Sequence, residues 1–261
     1  MADVVYSGGF LVGGGMSFIS FEHGFGSNTV INFEVVLSSG EIVNANETSN
    51  PELFWAIKAG SSNLGIITRF DITAYPLPAH IWAGFQQFSM TDAPALLSQW
   101  ADAVGYVSEH PNEAGVMLMT FTHNSTSYLI TEGFYRNGEA NPPLWDKLAG
   151  PQYNTTLDTM GNKTFPEFLE EIKLPSTAQK AIWKTFDVKP NGTFALEVWN
   201  KGEELVSALI ASSNISGLTT DMSVQPMLKS MRCNTYAGPA CGGAEDDLMS
   251  TFCHALSVCE C

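Results

Sequence analysis

The sequence predicts an α+β protein in which antiparallel sheets are covered by helices, and three observations carry that expectation. Residues 30 to 45, VINFEVVLSSGEIVNA, set β-branched and aromatic residues on either side of Ser38-Ser39-Gly40, the pattern of a hairpin. A long amphipathic stretch, TDAPALLSQWADAVGYV, is followed directly by two strand-like runs, GVMLMTFT and SYLITEGFY, joined by a turn around Asn124-Ser125. Helix-like and strand-like segments then continue without the regular alternation of a parallel βαβ fold and without an internal repeat.

Each element has its own local signal. After the hairpin, Asn50-Pro51 reads as an N-cap with proline at the first helical position, opening the short helix ELFWAIKA, which Gly60 closes. GIITRFDITAYP alternates, with Ile66, Phe70 and Ile72 on one side and Arg69, Asp71 and Thr73 on the other, and reads as a half-buried strand ending at Pro76. YPLPAH, residues 75–80, holds two prolines in three positions and reads as a boundary. In the following helix Leu96, Leu97, Trp100 and Val104 share a face. NPPLWDKLA and TFPEFLEEI read as short helices, the second opening on a capping box of Thr164 and Glu167. GTFALEVW reads as a strand and GEELVSALIASS as a helix.

Composition narrows the function classes. The chain has 261 residues, 44% of them apolar, enough for a substantial core. No run of eighteen uninterrupted apolar residues occurs, so no membrane span is expected. With 27 acidic and 12 basic residues the formal charge is -15, which repels phosphate backbones and argues against nucleic acid as a partner. An anionic cofactor in such a chain is held by backbone N–H groups in glycine-rich loops rather than by lysine and arginine. Six Asn-x-Ser/Thr sequons begin at Asn46, Asn124, Asn154, Asn162, Asn191 and Asn214, where ordinary composition gives roughly one or two. They point to a secreted, extracellular protein with N-glycans, although MADVVYSGGF has neither the basic nor the apolar region of a signal peptide, which implies a missing true start if the protein is secreted. The first 232 residues contain no cysteine and the last 29 contain five, Cys233, Cys241, Cys253, Cys259 and Cys261. That tail is either a disulfide-stapled or metal-binding segment or not the native end of the fold; the odd count and spacing fit no zinc pattern.

Two small-residue loops carry the candidate chemistry. Gly13-Gly14-Gly15 lies between FLV and MSFIS, where glycine permits positive φ and removes the Cβ that blocks a ligand ring or diphosphate. About fifty residues on, Gly60-Ser61-Ser62-Asn63-Leu64-Gly65 joins the short helix to the strand IITRF. Each alone reads as a turn or a helix C-cap, and neither is a G-x-G-x-x-G Rossmann turn; together they read as one dinucleotide cradle. His23, His80, His110, His123 and His254 show no HExxH or paired spacing, so no metal site is expected, and no G-x-S-x-G elbow supports a hydrolase.

The triple glycine, the VVL…G hairpin, PELFWAIKAG and NLGIIT, in that order over residues 2–78, resemble the second half of the PCMH-type FAD-binding domain of the berberine-bridge-enzyme-like group of the vanillyl-alcohol-oxidase superfamily. Residues from about Ile81 to Leu228 are similar in pattern to that family's substrate domain. The resemblance implies a partial FAD-binding domain over 1–78, a substrate-binding α+β domain over 79–232 and a cysteine-rich tail of doubtful native structure over 233–261. It implies FAD lying between the domains, with Gly13, Gly14, Gly15 and Ser17 on the flavin side and Asn63, Gly65, Ile66 and Ile67 on the adenosine and phosphate side. Hydride transfer from a small organic or sugar-like substrate to flavin N5, with molecular oxygen as acceptor, is the implied reaction. The aromatics Phe121, Phe134 and Tyr135 lie on strands similar to the sheet that roofs the substrate pocket, with core packing the other reading of each, and the favoured one. Departures are also present: ADVVYSGG holds no cysteine for covalent flavin attachment, no upstream histidine loop is in the sequence, and similarity fades after about Met231. The chain therefore resembles a fragment truncated at both ends, with non-covalent FAD as far as its residues show and no nameable catalytic base. The alternative is a truncated paralogue or secreted glycoprotein that binds no flavin.

Overall fold

The computed structural model describes residues 7–61, 63–123, 127–135, 140, 142–145, 153–172, 179–212, 218–232 and 248–258. Two antiparallel sheets organise them. The first is built from β1 (Val30–Val36), β2 (Ile42–Ala45) and β3 (Ile66–Ile72) in the order β2-β1-β3, with α1 (Ser7–Val12) and α3 (Pro51–Ile57) beside it, while α2 (Ser20–His23) buries Phe21 in the core of the second sheet. Its core is Leu11, Val12, Val30, Phe33, Val35, Ala45, Phe54 and Ile57. On the opposite face polar groups tie the strands: Asn32 donates to Asn44 and Asp71 at 3.0 Å each, Thr68 donates to Glu34 at 2.7 Å, and Arg69 pairs with Asp71 at 3.1 Å.

The second sheet comprises β4 (Ile81–Phe88), β5 (Ala114–His123), β6 (Ser127–Tyr135), β7 (Thr155–Asp158), β8 (Gly161–Lys163), β9 (Gln179–Val188), β10 (Leu218–Met227) and β11 (Leu248–Val258), in the order β7-β4-β6-β5-β10-β11-β9. β8 also pairs with β4, continuing the edge that β7 begins. Gly84 sits where the two meet, at φ 150, and a Cβ there would fall 2.6 Å from the Thr159 carbonyl oxygen. One face is covered by α4 (Ala93–Glu109) and α6 (Gly192–Ser212), whose Leu96, Leu97, Trp100, Val104, Ala195 and Trp199 form the main core with Phe88, Met222 and Val224. On the other face α5 (Phe165–Glu171) closes Phe168 over Ile81 and Ala83, with Phe18 packed edge-on to Phe165 and Phe168. A single turn, α7 (Lys229–Arg232), follows β10. The fold is α+β, as the sequence predicts.

Several local expectations need correction. GTFALEVW is not a strand but the first part of α6: Asn191 Oδ1 accepts from the Phe194 N–H at 2.9 Å, and Ala195 and Trp199, four apart, are buried against α4. Burial at helical spacing outweighs the β-propensity of Thr193, Phe194, Val198 and Trp199. In β3 the inward residues are Ile67 and Phe70, which pair with Val35 and Phe33, whereas Ile66 and Ile72 are 70% and 54% exposed. A register shift between Glu34 and Val35 reverses the alternation that a regular strand would keep. Asn50 precedes α3 in a left-handed conformation without capping it, its side chain donating instead to the Asn44 carbonyl at 2.9 Å. Beyond that helix the left-handed residue is Ala59, φ 60, rather than Gly60. Gly60 is required for space, since a Cβ there would lie 1.8 Å from the Ala56 carbonyl oxygen. Only 143–145 of NPPLWDKLA are described as helix. The side chains of all five cysteines and of Phe121, Phe134 and Tyr135 lie outside the described residues, as does Ser62. Residues 248–258 pair as β11 between β10 and β9.

Candidate cofactor site

The triple glycine terminates α1. The Gly13 N–H still reaches back to Gly9 at 3.1 Å; then Gly14 and Gly15, at φ 100 and 76, turn the chain out of the helix. Space also selects glycine at 15, where a Cβ would fall 2.6 Å from the Phe10 ring. The turn is clamped from below: the Ser27 N–H donates to the Gly14 carbonyl at 2.8 Å and the Gly26 N–H to the Gly15 carbonyl at 2.6 Å. Both carbonyls are thereby used, while the N–H groups of Gly14, Gly15 and Met16 make no hydrogen bond among the described residues. Consecutive backbone donors with no internal acceptor are suited to a diphosphate, so this stretch fits an anionic dinucleotide.

The second loop is held against the first. The Ser61 N–H donates to the Val12 carbonyl at 3.0 Å, and a Cβ on Gly14 would come within 3.9 Å of the Ala59 Cβ. Ala59 and Ser61, at φ 60 and 63, both occupy the left-handed region that non-glycine residues rarely enter, a strain of about 1 kcal/mol or more each that surrounding contacts must hold. Gly65, φ 144, is pressed under β1, where a Cβ would lie 2.7 Å from Val35 and from the Val36 carbonyl oxygen.

The eight residues expected to touch cofactor therefore fall into groups. Gly13, Gly14 and Gly15 lie directly beside the 59–61 loop. Asn63 is exposed, its amide 3.5 Å from the Gly60 carbonyl, and Gly65 leads into β3. Ile66 is exposed and Ile67 half-buried against the small core; β3 is an edge strand of its sheet, so alternate backbone groups there point away from β1. Ser17 turns its hydroxyl toward Ser20, 3.2 Å away, at the entry of α2.

Sequence reasoning missed Ala59 and Ser61, whose left-handed backbone has no residue-type signal, and the pair His23–Tyr75. Those rings stack at 3.6 Å and 12°, joining α2 to the segment that leaves the first sheet. Burial holds the His23 imidazole below its usual value. Lys58, at the C-terminus of α3, lies over the Phe54 ring at 4.2 Å, and burial pushes its ammonium down to about 8 against the opposing effect of Glu47. Among the described residues no group of His, Cys, Asp and Glu is placed to hold a metal, and no helix is long and apolar enough to cross a membrane.

No family model matches the chain. It is 28% identical over 242 residues to an uncharacterized FAD-linked oxidoreductase of Arthroderma benhamiae, covering 86% of this chain and 44% of that protein. It is 34% identical over 212 residues to an FAD-dependent monooxygenase of Aspergillus calidoustus, covering 80% of this chain and 39% of the relative. The chain thus spans less than half the length of these two relatives. Among solved structures, BBE-like #28 from Arabidopsis thaliana superposes with a TM-score of 0.72 at 18% identity, over 95% of this chain and 52% of that one. Loop order, fold and relatives agree: the similar proteins are FAD-linked oxidoreductases and monooxygenases, and the chain has the fold of a berberine-bridge-enzyme-like structure.

Proposed function

We propose that this chain supplies one wall of the FAD site and the substrate-facing sheet of a secreted oxidoreductase that oxidises a small organic or sugar-like molecule. The observation that carries the reading is the row of unused backbone donors at Gly14, Gly15 and Met16, fixed against the 59–61 loop by the Val12–Ser61 bond. Bound FAD would supply the redox chemistry, accepting a hydride at N5 and returning electrons to molecular oxygen. The protein's part is to bind and orient. Gly14 and Gly15 present main-chain donors without side chains in the way, Gly13 keeps the same approach clear of a Cβ, and Asn63 has an exposed amide. Outward backbone groups of β3 near Ile66 and Ile67 are suited to pairing with an adenine edge. Backbone attraction of this kind suits a chain of formal charge -15, in which an extended lysine or arginine cluster is missing from the sequence. Attachment is non-covalent as far as these residues go. The six sequons support the secretory compartment.

The competing reading, a truncated paralogue without flavin, draws on Gly15: its overlap with Phe10 explains that glycine by packing alone. The purified protein separates the two. FAD binding predicts absorbance near about 450 nm and release of free flavin on denaturation; a colourless protein that takes up no added FAD sinks the enzyme reading.

A further inference from the structure

The candidate cofactor turn is built from residues that cannot fix their own position. Gly13, Gly14 and Gly15 have no side chains to pack, and glycine has the widest backbone freedom. Precision there has to come from what grips the chain on either side. Before the turn, Leu11 and Val12 are buried in the core of the first sheet. After it, the row of unused donors stops at Ser17, whose N–H donates to the Ser20 hydroxyl oxygen at 2.7 Å. Met16 and Phe18 then enter two different apolar clusters: Met16 packs on the core beneath α4 and α6, Phe18 on Ile81, Ala83 and Phe168. The N–H groups of Gly14, Gly15 and Met16 therefore lie where the chain crosses from one sheet to the other.

The two grips beyond the turn differ in kind. A methionine adapts to the gap it fills and specifies position weakly, whereas an edge-to-face ring pair holds a distance and an angle. Phe18 makes two such pairs, its ring standing 5.4 Å and 82° from Phe165 and 5.6 Å and 73° from Phe168. We propose that Phe18 is a positioning residue: it fixes the donor turn against the second sheet through α5, and so sets how firmly the turn holds FAD. The consequence for flavin rests on the FAD reading above; the anchoring of the turn does not.

α5 is equipped to serve as the fixed point. Phe168 is fully buried over β4. At the start of the helix Thr164 and Glu167 cap each other reciprocally. At its end Glu171 pairs with Lys163 of β8, whose ammonium also donates to the Thr159 carbonyl at 2.7 Å. Thr159 is bonded to β4 in turn: its N–H donates to the Phe85 carbonyl and its hydroxyl oxygen accepts from the Phe85 N–H, both at 2.9 Å. Helix, β8 and β4 are thereby braced as one unit, and the Phe18 ring ties the turn to it.

The bonds that clamp the turn supply the readout. The Ser27 N–H donates to the Gly14 carbonyl and the Gly26 N–H to the Gly15 carbonyl, so protection of these two amides from exchange with heavy water reports where the turn sits, with or without flavin. Phe18→Leu keeps an apolar side chain and loses the ring; it is expected to lower both protection factors about tenfold, with rescue by Phe18→Tyr. Val107→Ala, a truncation in the buried face of α4, controls for general loss of stability and is expected to lower them less than Phe18→Leu does at matched thermal stability. Because Phe18 acts through α5, adding Phe168→Leu to Phe18→Leu is expected to change the two amides little further. Protection unchanged in Phe18→Leu, protection lowered no more than in Val107→Ala, or full additivity of the two leucine variants overturns the proposal. Titration of the same proteins with FAD is expected to show binding about tenfold weaker in Phe18→Leu than in the wild type. Equal affinity in the two defeats the positioning role, whereas an exchange contrast with no FAD uptake by the wild type supports the anchor and defeats the FAD reading.

Discussion

At the scale of single residues, the glycine loop separates packing from binding. Gly15→Ala puts a methyl into the Phe10 ring at a positive φ, and is expected to cost about 1–3 kcal/mol in denaturant unfolding. Gly14→Ala faces only the Ala59 methyl at 3.9 Å and meets chiefly backbone strain, about 1 kcal/mol. If the loop holds FAD, Gly14→Ala weakens flavin retention several-fold while most of the thermal stability remains; equal loss of both assigns the glycine to folding. His23 gives a pH prediction of definite sign. Burial holds its folded pKa below 6.5, the nearby Glu22 oxygen at 3.6 Å notwithstanding. As pH falls through 6.5 the unfolded chain takes up the proton first, so stability from this stack is full above that pH and lost below it. Unfolding free energy is therefore expected to fall more steeply between about pH 7.5 and 5.5 in the wild type than in His23→Phe, which keeps the stack on Tyr75 and cannot titrate.

At the scale of elements, legibility followed periodicity. Leu96, Leu97, Trp100 and Val104 repeat at helical spacing, and all are at most 1% exposed in α4. Trp100→Ala is expected to cost about 3–5 kcal/mol in equilibrium unfolding. The capping box of α5 was equally readable, because its donors and acceptors lie three residues apart: the Thr164 N–H donates to Glu167 at 2.8 Å. Thr164→Ala is expected to destabilise by about 1 kcal/mol. Those hydrogen bonds hold the Glu167 carboxyl below the ordinary carboxylate range, so this stabilisation is present at neutral pH and fades as pH falls through that range. α6 and β3 were misread for one reason. In α6 aromatic and β-branched residues sit where only contact with α4 selects a helix, and in β3 a single register shift exchanges the two faces.

At the scale of the whole molecule the two sheets differ in their apolar support. Among the described residues the first rests on eight buried ones and leaves Ile31, Ile42, Ile66 and Ile72 exposed, whereas the core beneath α4 and α6 unites seventeen. Amides of β1, β2 and β3 are therefore expected to exchange with heavy water at least about tenfold faster than those of α4 and β10. Added FAD is expected to slow the first group selectively, since its proposed contacts lie at 13–17 and 63–67. Uniform exchange across both sheets would show that they unfold together.

The sequence by itself determined the α+β class, the hairpin, the long helix and the two glycine-rich loops. Each depends on neighbours within a few residues, where φ freedom, capping and side-chain period act directly. Only the tertiary structure decided that Val12 and Ser61 bond across forty-nine positions, which sets the two loops side by side. It also decided that Ala59 and Ser61 accept left-handed strain and that His23 stacks on Tyr75. Those are consequences of chain crossing and strand order, which residue type constrains only through the packing of the whole.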